Sequence, residues 1–354
     1  VLGMITSGGH LMDEGMYGCI FTPSLKCKNK KDQPTPTSSK IHPLLSKIIL
    51  ADSAELEYSI ASIIRGIPLW KNYFAVATSI CEPSLKQTDE DLSKCDILAS
   101  KPLSAFRILS MTYGGSPLHQ YRFTVDSFDM MNFFTHLISA GALLALFGIV
   151  HRDLHQGNVL VDSETVPRII DFNLAMIKED ATADELSHSH NVMLPQESPD
   201  ATLVNAISLG YKRSQVIRSI IDKKPIIKKI RSMLGISYES MLQQLNQFSS
   251  TSKSMQSGDT LLWFTTYWRL IDSWSIGVMI VELLTTFSLW SGFTPMITKH
   301  KAQLFPLLRR MCAVNPLQRV DCVQALYYLQ PNHFIIRKYA KAWMDKVGTG
   351  NIQQ

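Results

Sequence analysis

Apolar positions along the chain fall into two regimes. Up to about residue 113 they come in short runs. Leu44-Leu45-Ser46-Lys47-Ile48-Ile49-Leu50 reads as a buried strand, and Arg107-Ile108-Leu109-Ser110-Met111-Thr112-Tyr113 as another, closed by Gly114-Gly115. Between them, Asp52 or Ser53 can cap a helix that runs to Arg65 and stops at Gly66 and Pro68. The polar stretches Lys28–Lys40 and Ser84–Asp96 predict loops between strands. From Val125 onward a helical period takes over. Ser127–Phe147 and Leu270–Phe287 read as apolar helices and Arg213–Leu234 and Tyr238–Phe248 as amphipathic ones, with a Ser-rich loop over Ser249–Asp259. The pattern predicts an α+β chain with two unequal lobes: strand-rich residues 1–113, helical residues 114–337, and a tail over 338–354.

Composition narrows the class without naming a function. With 354 residues, 45% hydrophobic and 18% charged, the chain has enough apolar surface for a folded core. Its most apolar stretch, Leu137–Val150, has 14 residues, whereas a membrane crossing needs about 20. A buried core helix is expected there and no membrane span. The six cysteines, Cys19, Cys27, Cys81, Cys95, Cys312 and Cys322, include no C-x-x-C pair. The reading expects reduced thiols in an intracellular, cytoplasmic protein without a secretory leader, and no zinc site. Net charge is +5, and its distribution is uneven. Lys212, Arg213, Arg218, Lys223, Lys224, Lys228, Lys229 and Arg231 share their window with a single acid, Asp222, giving +7 there and −2 elsewhere. Such a segment is either a solvated helix face or a docking surface for acidic or phosphorylated partners; nucleic acid is the less favoured occupant.

Chemistry concentrates in His151-Arg152-Asp153-Leu154-His155-Gln156-Gly157-Asn158, followed by Asp171-Phe172-Asn173. These two motifs resemble the catalytic loop and the metal site of the eukaryotic-type protein kinase superfamily. The resemblance implies phosphoryl transfer, which needs a carboxylate beside the attacking hydroxyl, here Asp153. It also needs oxygen ligands for a metal that neutralises phosphates, here Asn158 and Asp171. His155, standing where Ser/Thr kinases generally carry Lys, is similar to haspin-type kinases and to the divergent Ser/Thr kinases of large DNA viruses. Small-molecule phosphotransferases of the kinase-like superfamily also carry such a loop.

The resemblance extends along the chain and implies a two-lobed kinase-like fold using ATP and Mg²⁺. Glu14-Gly15-Met16-Tyr17-Gly18-Cys19-Ile20-Phe21 resembles the glycine-rich loop, with Asp13 in place of its first glycine. This implies nucleotide contacts from Gly15, Tyr17, Gly18 and Ile20. Lys47 matches the strand lysine that reaches the phosphates. Its helix partner is Glu55 or Glu57. Glu57 has Ile60, Ala61 and Ile64 at helical spacings and so borders the buried face, which selects it. Met111, Thr112 and Tyr113 fit the hinge against adenine. Asp272-Ser273-Trp274-Ser275-Ile276-Gly277 and Asn315-Pro316-Leu317-Gln318-Arg319 resemble two protein-kinase segments, which favours a protein acceptor.

The pattern departs between Leu174 and Tyr267. Leu194-Pro195-Gln196-Glu197 is the nearest match to A-P-E, making Glu197 the expected partner of Arg319. Residues 198–267 are expected to hold an insertion of two or three helices. Arg152 would allow activation through a phosphorylated Thr182, Ser187 or Ser189; His188 and His190 read as solvated. The expectation is an active Ser/Thr protein kinase, of viral type by resemblance and so in the host cytoplasm or packaged in a virion. A catalytically dead scaffold and a small-molecule kinase are the alternatives.

Overall fold

The computed structural model describes residues 9–15, 18–29, 31, 44–87, 92–124, 128–186 and 191–350. Two compact units emerge, one from residues up to Ser116 together with Arg168–Asn173, the other from Pro117–Pro167 and Leu174 onward. The fold is α+β, as the strand-rich start and helical remainder of the sequence predict, and it is consistent with the kinase-like fold that the resemblance implies.

The first unit is built on five strands, β1 (His10–Gly15), β2 (Gly18–Thr22), β3 (Leu44–Leu50), β4 (Ser79–Cys81) and β5 (Phe106–Thr112), in the order β1-β2-β3-β5-β4. β3 occupies the predicted residues, and its middle five, Leu45-Ser46-Lys47-Ile48-Ile49, are buried between two antiparallel neighbours. Gly15 pairs with Gly18 at the end of the β1–β2 hairpin. Gly18 has a packing reason to lack a side chain, because a Cβ there would strike Ile49 and the Ile48 carbonyl. Helix α1 (Ala51–Arg65) leaves β3 directly. Its N-cap is Leu50 with no side-chain cap, whereas Asp52 or Ser53 was expected to provide one; Asp52 instead lies inside the first turn. The buried face of α1 is Ala54, Glu57, Ile60, Ala61 and Ile64.

The cysteines depart most from the sequence reading. Cys19–Cys95 and Cys27–Cys81 are disulfides, and only Cys312 and Cys322 are free thiols. All four bonded cysteines lie in one buried cluster with Phe21, Leu25, Ile48, Phe106 and Ile108. Their partners are 76 and 54 residues apart, so no local spacing could announce them.

The second unit is helical. It contains α2 (Met130–Leu146), α3 (Pro199–Ser208), α4 (Arg213–Lys223), α5 (Pro225–Leu234), α6 (Tyr238–Thr251), α7 (Lys253–Ser257), α8 (Thr260–Tyr267), α9 (Ile271–Phe287), α10 (Phe293–Met311) and α11 (Cys322–Leu329). Short strands β6 (Ile149–Val150), β7 (Val159–Val161) and β8 (Met176–Ile177) flank the catalytic-loop sequence, with β6 and β8 antiparallel. Residues 198–267 thus hold six helices rather than two or three. One predicted helix, Arg213–Leu234, breaks in two because Pro225 has no N–H to donate and keeps Lys224 out of the helical region, at φ −66°, ψ 113°. The Ser-rich stretch is also more helical than expected: α6 runs on to Thr251 and α7 follows after one residue.

α9 packs against α2, α5 and α10. At its crossings glycines replace side chains. A Cβ on Gly141 would meet Ile276 and Cys322 at 2.6 and 2.7 Å, and one on Gly277 would meet Cys312 and Met311 at 2.9 Å. Among the described residues, one helical run, Thr260–Phe287, is long and apolar enough to cross a membrane, but 83% of that window is buried inside the unit.

Candidate active site

In the first unit the register of the sheet sets the site. Lys47 lies in the middle of β3, opposite Ile20 on β2 and Leu109 on β5. Its Nζ donates to Glu57 Oε2 and Asp171 Oδ1, both at 2.9 Å. Burial alone would lower the Lys47 pKa, but the two carboxylates outweigh it and hold the ammonium charged. Glu57, chosen from helical spacing alone, is therefore the partner, while Glu55 lies on the exposed side. Asp171 sits at φ +62°, a left-handed conformation held by its surroundings. Phe172 packs edge-on against Phe74, and Ala75 donates to the Ile169 carbonyl at 3.0 Å, which anchors Arg168–Asn173 in this unit. Met111 and Thr112 end β5 and Tyr113 follows it; Gly15, Gly18 and Ile20 flank the hairpin turn. Tyr17 lies outside the described residues.

In the second unit, Asp153 stands on the loop between β6 and β7. Asp272, at the start of α9, accepts the His151 and Arg152 amides at 2.8 and 3.0 Å. Those two bonds fix the loop from inside the unit and hold Arg152 at φ +69°. Asn158 Nδ2 donates to the Asp153 carbonyl at 2.9 Å, turning its own amide oxygen away from that contact. His155 Nδ1 accepts from the Gly157 amide at 3.0 Å. With Nδ1 accepting, Nε2 is the ring's N–H donor, and it faces Asp153 Oδ2 at 3.7 Å. Gly157 must be glycine, since a Cβ there would lie 2.7 Å from the His155 ring. Burial acts to raise the Asp153 pKa, and contacts from His155 and Gln196 outweigh it, holding the carboxyl below its usual range.

The expected pairing of Glu197 with Arg319 does not occur. Arg319 Nη2 donates to Asp200 Oδ1 at 2.7 Å, and both side chains are fully buried. Trp263 Nε1 donates to the other oxygen of Asp200 at 3.1 Å. Ser198-Pro199-Asp200 was the overlooked signal: small residue, proline, acid, directly after the Leu194-Pro195-Gln196-Glu197 stretch. Proline at the first helical position and the Ser198 N-cap explain why α3 starts there and carries Asp200 inward. Glu197 is half-buried near Thr202, Lys224 and Arg152, and desolvation of its carboxyl pushes its pKa up.

Among the predicted phosphate acceptors, Thr182 donates its hydroxyl to Glu185 at 2.7 Å. Ser187, Ser189, His188 and His190 lie outside the described residues. The basic segment is less free than its charge count implies. Lys224 is buried and donates to Thr202 at 3.3 Å, Arg213 donates to the Met255 carbonyl, and Lys229 pairs with Glu282 at 3.3 Å. Lys212, Arg218, Lys223 and Lys228 remain exposed on α4, α5 and the residue before them.

No curated protein matches the chain. Compared with models of known protein families, it matches the phosphotransferase enzyme family over residues 134–213, a stretch that holds Asp153, Asn158, Asp171, Gln196 and Asp200. Over that stretch the chain is similar to enzymes that transfer phosphoryl groups, and the match supports phosphotransfer of the kinase-like kind.

Proposed function

We propose that the chain is a Ser/Thr protein kinase that transfers the γ-phosphate of ATP to protein hydroxyls. The arrangement of Asp153 carries the reading: a half-buried carboxylate, kept ionised, on a loop whose backbone is pinned by Asp272. Asp153 takes the proton of the acceptor hydroxyl as that oxygen attacks phosphorus. Lys47, held charged by Glu57 and Asp171, positions the phosphates. The hairpin residues Gly15, Gly18 and Ile20 cover the nucleotide, and the end of β5 takes the adenine edge. Asn158 in the second unit and Asp171 in the first each keep an oxygen of the kind a hard divalent cation takes. Asn158 spends its NH₂ on the Asp153 carbonyl and keeps its oxygen, and Asp171 gives one oxygen to Lys47 and keeps the other. Bound there, Mg²⁺ would supply charge neutralisation, leaving the protein to position and orient.

A protein acceptor is supported by the two segments that bind the second unit together, Asp272 under the catalytic loop and Arg319 paired with Asp200. Acidic or phosphorylated protein segments are the proposed substrates, met by the exposed cations of residues 212–228. The phosphotransferase family match favours a second reading, a small-molecule acceptor in the same site.

Incubation with γ-labelled ATP, Mg²⁺ and a casein and histone mixture, followed by identification of the labelled residue, separates the two. Phosphoserine or phosphothreonine is expected, lost by at least 10²-fold in Asp153→Asn. Label confined to a pool of amino sugars and amino alcohols establishes the second reading, and transfer by Asp153→Asn equal to that of the parent defeats both.

A further inference from the structure

We propose that Gln196 is a positioning residue for phosphoryl transfer, fixing the orientation of the Asp153 carboxylate through its side-chain amide. The inference rests on Asp153 acting as the acceptor's base. A carboxylate on a single methylene rotates easily, because its terminal torsion has broad minima. It keeps one orientation only where donors hold it. Asn158 Nδ2 and His155 Nε2 face Oδ2 at 3.4 and 3.7 Å, both long. Gln196 Nε2 reaches Oδ1 at 2.8 Å, the one short side-chain hydrogen bond to this carboxylate among the described residues. A carboxylate only accepts, so the NH₂ end of Gln196 must be the one that faces it.

Gln196 is itself held. Ser275 Oγ donates to the Gln196 carbonyl at 2.8 Å, and Trp274 Nε1 donates to the Pro195 carbonyl at 3.0 Å. Both donors sit two and three residues after Asp272, which pins the loop bearing Asp153. One turn of α9 therefore fixes the two backbones, and the Gln196 side chain closes the circuit between them. With each carboxylate oxygen carrying two lone pairs, one donor on Oδ1 still leaves room for an acceptor hydroxyl. Glutamate at 196 would set two carboxylates against each other. Methionine would keep the length and remove the donor.

The test compares Gln196→Met and Gln196→Glu with the unaltered chain in labelled-ATP turnover on casein. A hydrogen bond to a charged group of this kind predicts kcat about tenfold lower or more for Gln196→Met, and lower again for Gln196→Glu. KM for ATP and the thermal midpoint should stay as in the parent, a split that a merely structural role would not give. Unchanged kcat, or a kcat loss tracked by equal losses of ATP affinity and stability, overturns the proposal. Crystal structures of the parent and Gln196→Met provide a measure that needs no turnover. A rotated or divided Asp153 carboxylate in the variant supports the assignment, and a single unchanged orientation overturns it. A parent chain that phosphorylates nothing sinks the proposed function, while the crystallographic comparison still decides the role of Gln196.

Discussion

Replacing Asp200 by Asn should damage this protein more than any other isosteric change near the site. The amide keeps the acceptor that Trp263 uses but removes the counter-charge of Arg319. Arg319 has no water to turn to: its side chain is fully buried, its Nε and Nη2 already share the Ala313 carbonyl, and its Nη1 has no partner among the described residues. Leaving one charge of a buried pair uncompensated costs about 3–5 kcal/mol. At roughly 2.1 cal/mol/K of unfolding entropy per residue, 4 kcal/mol lowers the thermal midpoint by about 5 °C if all 354 residues unfold together. If the second unit melts alone, the shift is about 8 °C. Glu197→Gln is the control. Desolvation raises the pKa of its carboxyl and one of its oxygens has no partner among the described residues, so the change should stay within about 1 kcal/mol. Urea unfolding followed by tryptophan fluorescence and circular dichroism would measure both variants, with Arg319→Met added to Asp200→Asn expected to recover part of the loss. A Glu197→Gln protein as unstable as Asp200→Asn would refute the reasoning.

Lys224 gives a pH signature: burial lowers its pKa from 10.5 to about 8 despite Glu197 and Asp200 nearby. The unfolded chain therefore holds more protons between about pH 8 and 10.5, and stability should rise with pH across that window, by about 3 kcal/mol in all. Urea titrations of Lys224→Met should lack this rise; parallel curves for parent and variant would remove the assignment. The disulfides should be detectable as four cysteines that resist iodoacetamide in urea until reductant is added, with Cys312 and Cys322 labelled at once. Reduction should destabilise the first unit by roughly 4 kcal/mol for the inner link, less for the outer, whose loop the inner already shortens. Six cysteines alkylated without reductant would show the pairs absent. Exchanging Lys212, Arg218, Lys223 and Lys228 for Gln should raise KM on casein and flatten its salt dependence without changing kcat. Equal KM and salt response in parent and variant would mean a plain solvated face.

What could be read from the sequence was whatever the chain states locally. The motif that resembles a catalytic loop is contiguous, so Asp153 and Asn158 could be singled out without the fold. Glu57 followed from helical spacing, because the period that buries Ile60 and Ile64 also turns Glu57 inward. Partner choice was beyond such reasoning. Asp200 and Glu197 are both acids after a proline, and only the Ser198 cap and the start of α3 decide which one meets Arg319. The disulfides depend on strand pairing and loop packing across 54 and 76 residues. Lys224 counted as one of eight surface cations until Pro225 broke the helix and turned it into the interior. That break was legible from Pro225 alone.

The helix that most invites a wrong conclusion is also the one that organises the second unit. By length and hydropathy alone, Thr260–Phe287 could cross a membrane, yet most of it is buried inside the unit. In lipid, the side chains of Asp272, Ser273 and Ser275 would each need a partner from the helix itself or pay a heavy desolvation cost. Here Asp272 accepts the His151 and Arg152 amides, Ser273 donates to the Val320 carbonyl at 2.7 Å, and Ser275 donates to the Gln196 carbonyl. Each of these three polar side chains is thus matched to the backbone of a different irregular segment. An apolar helix supplies a rigid interior position, and a few buried polar atoms on it give irregular loops the fixed partners that water cannot. The same residues that argue against a bilayer therefore account for how a loop carrying Asp153 can be held in one conformation.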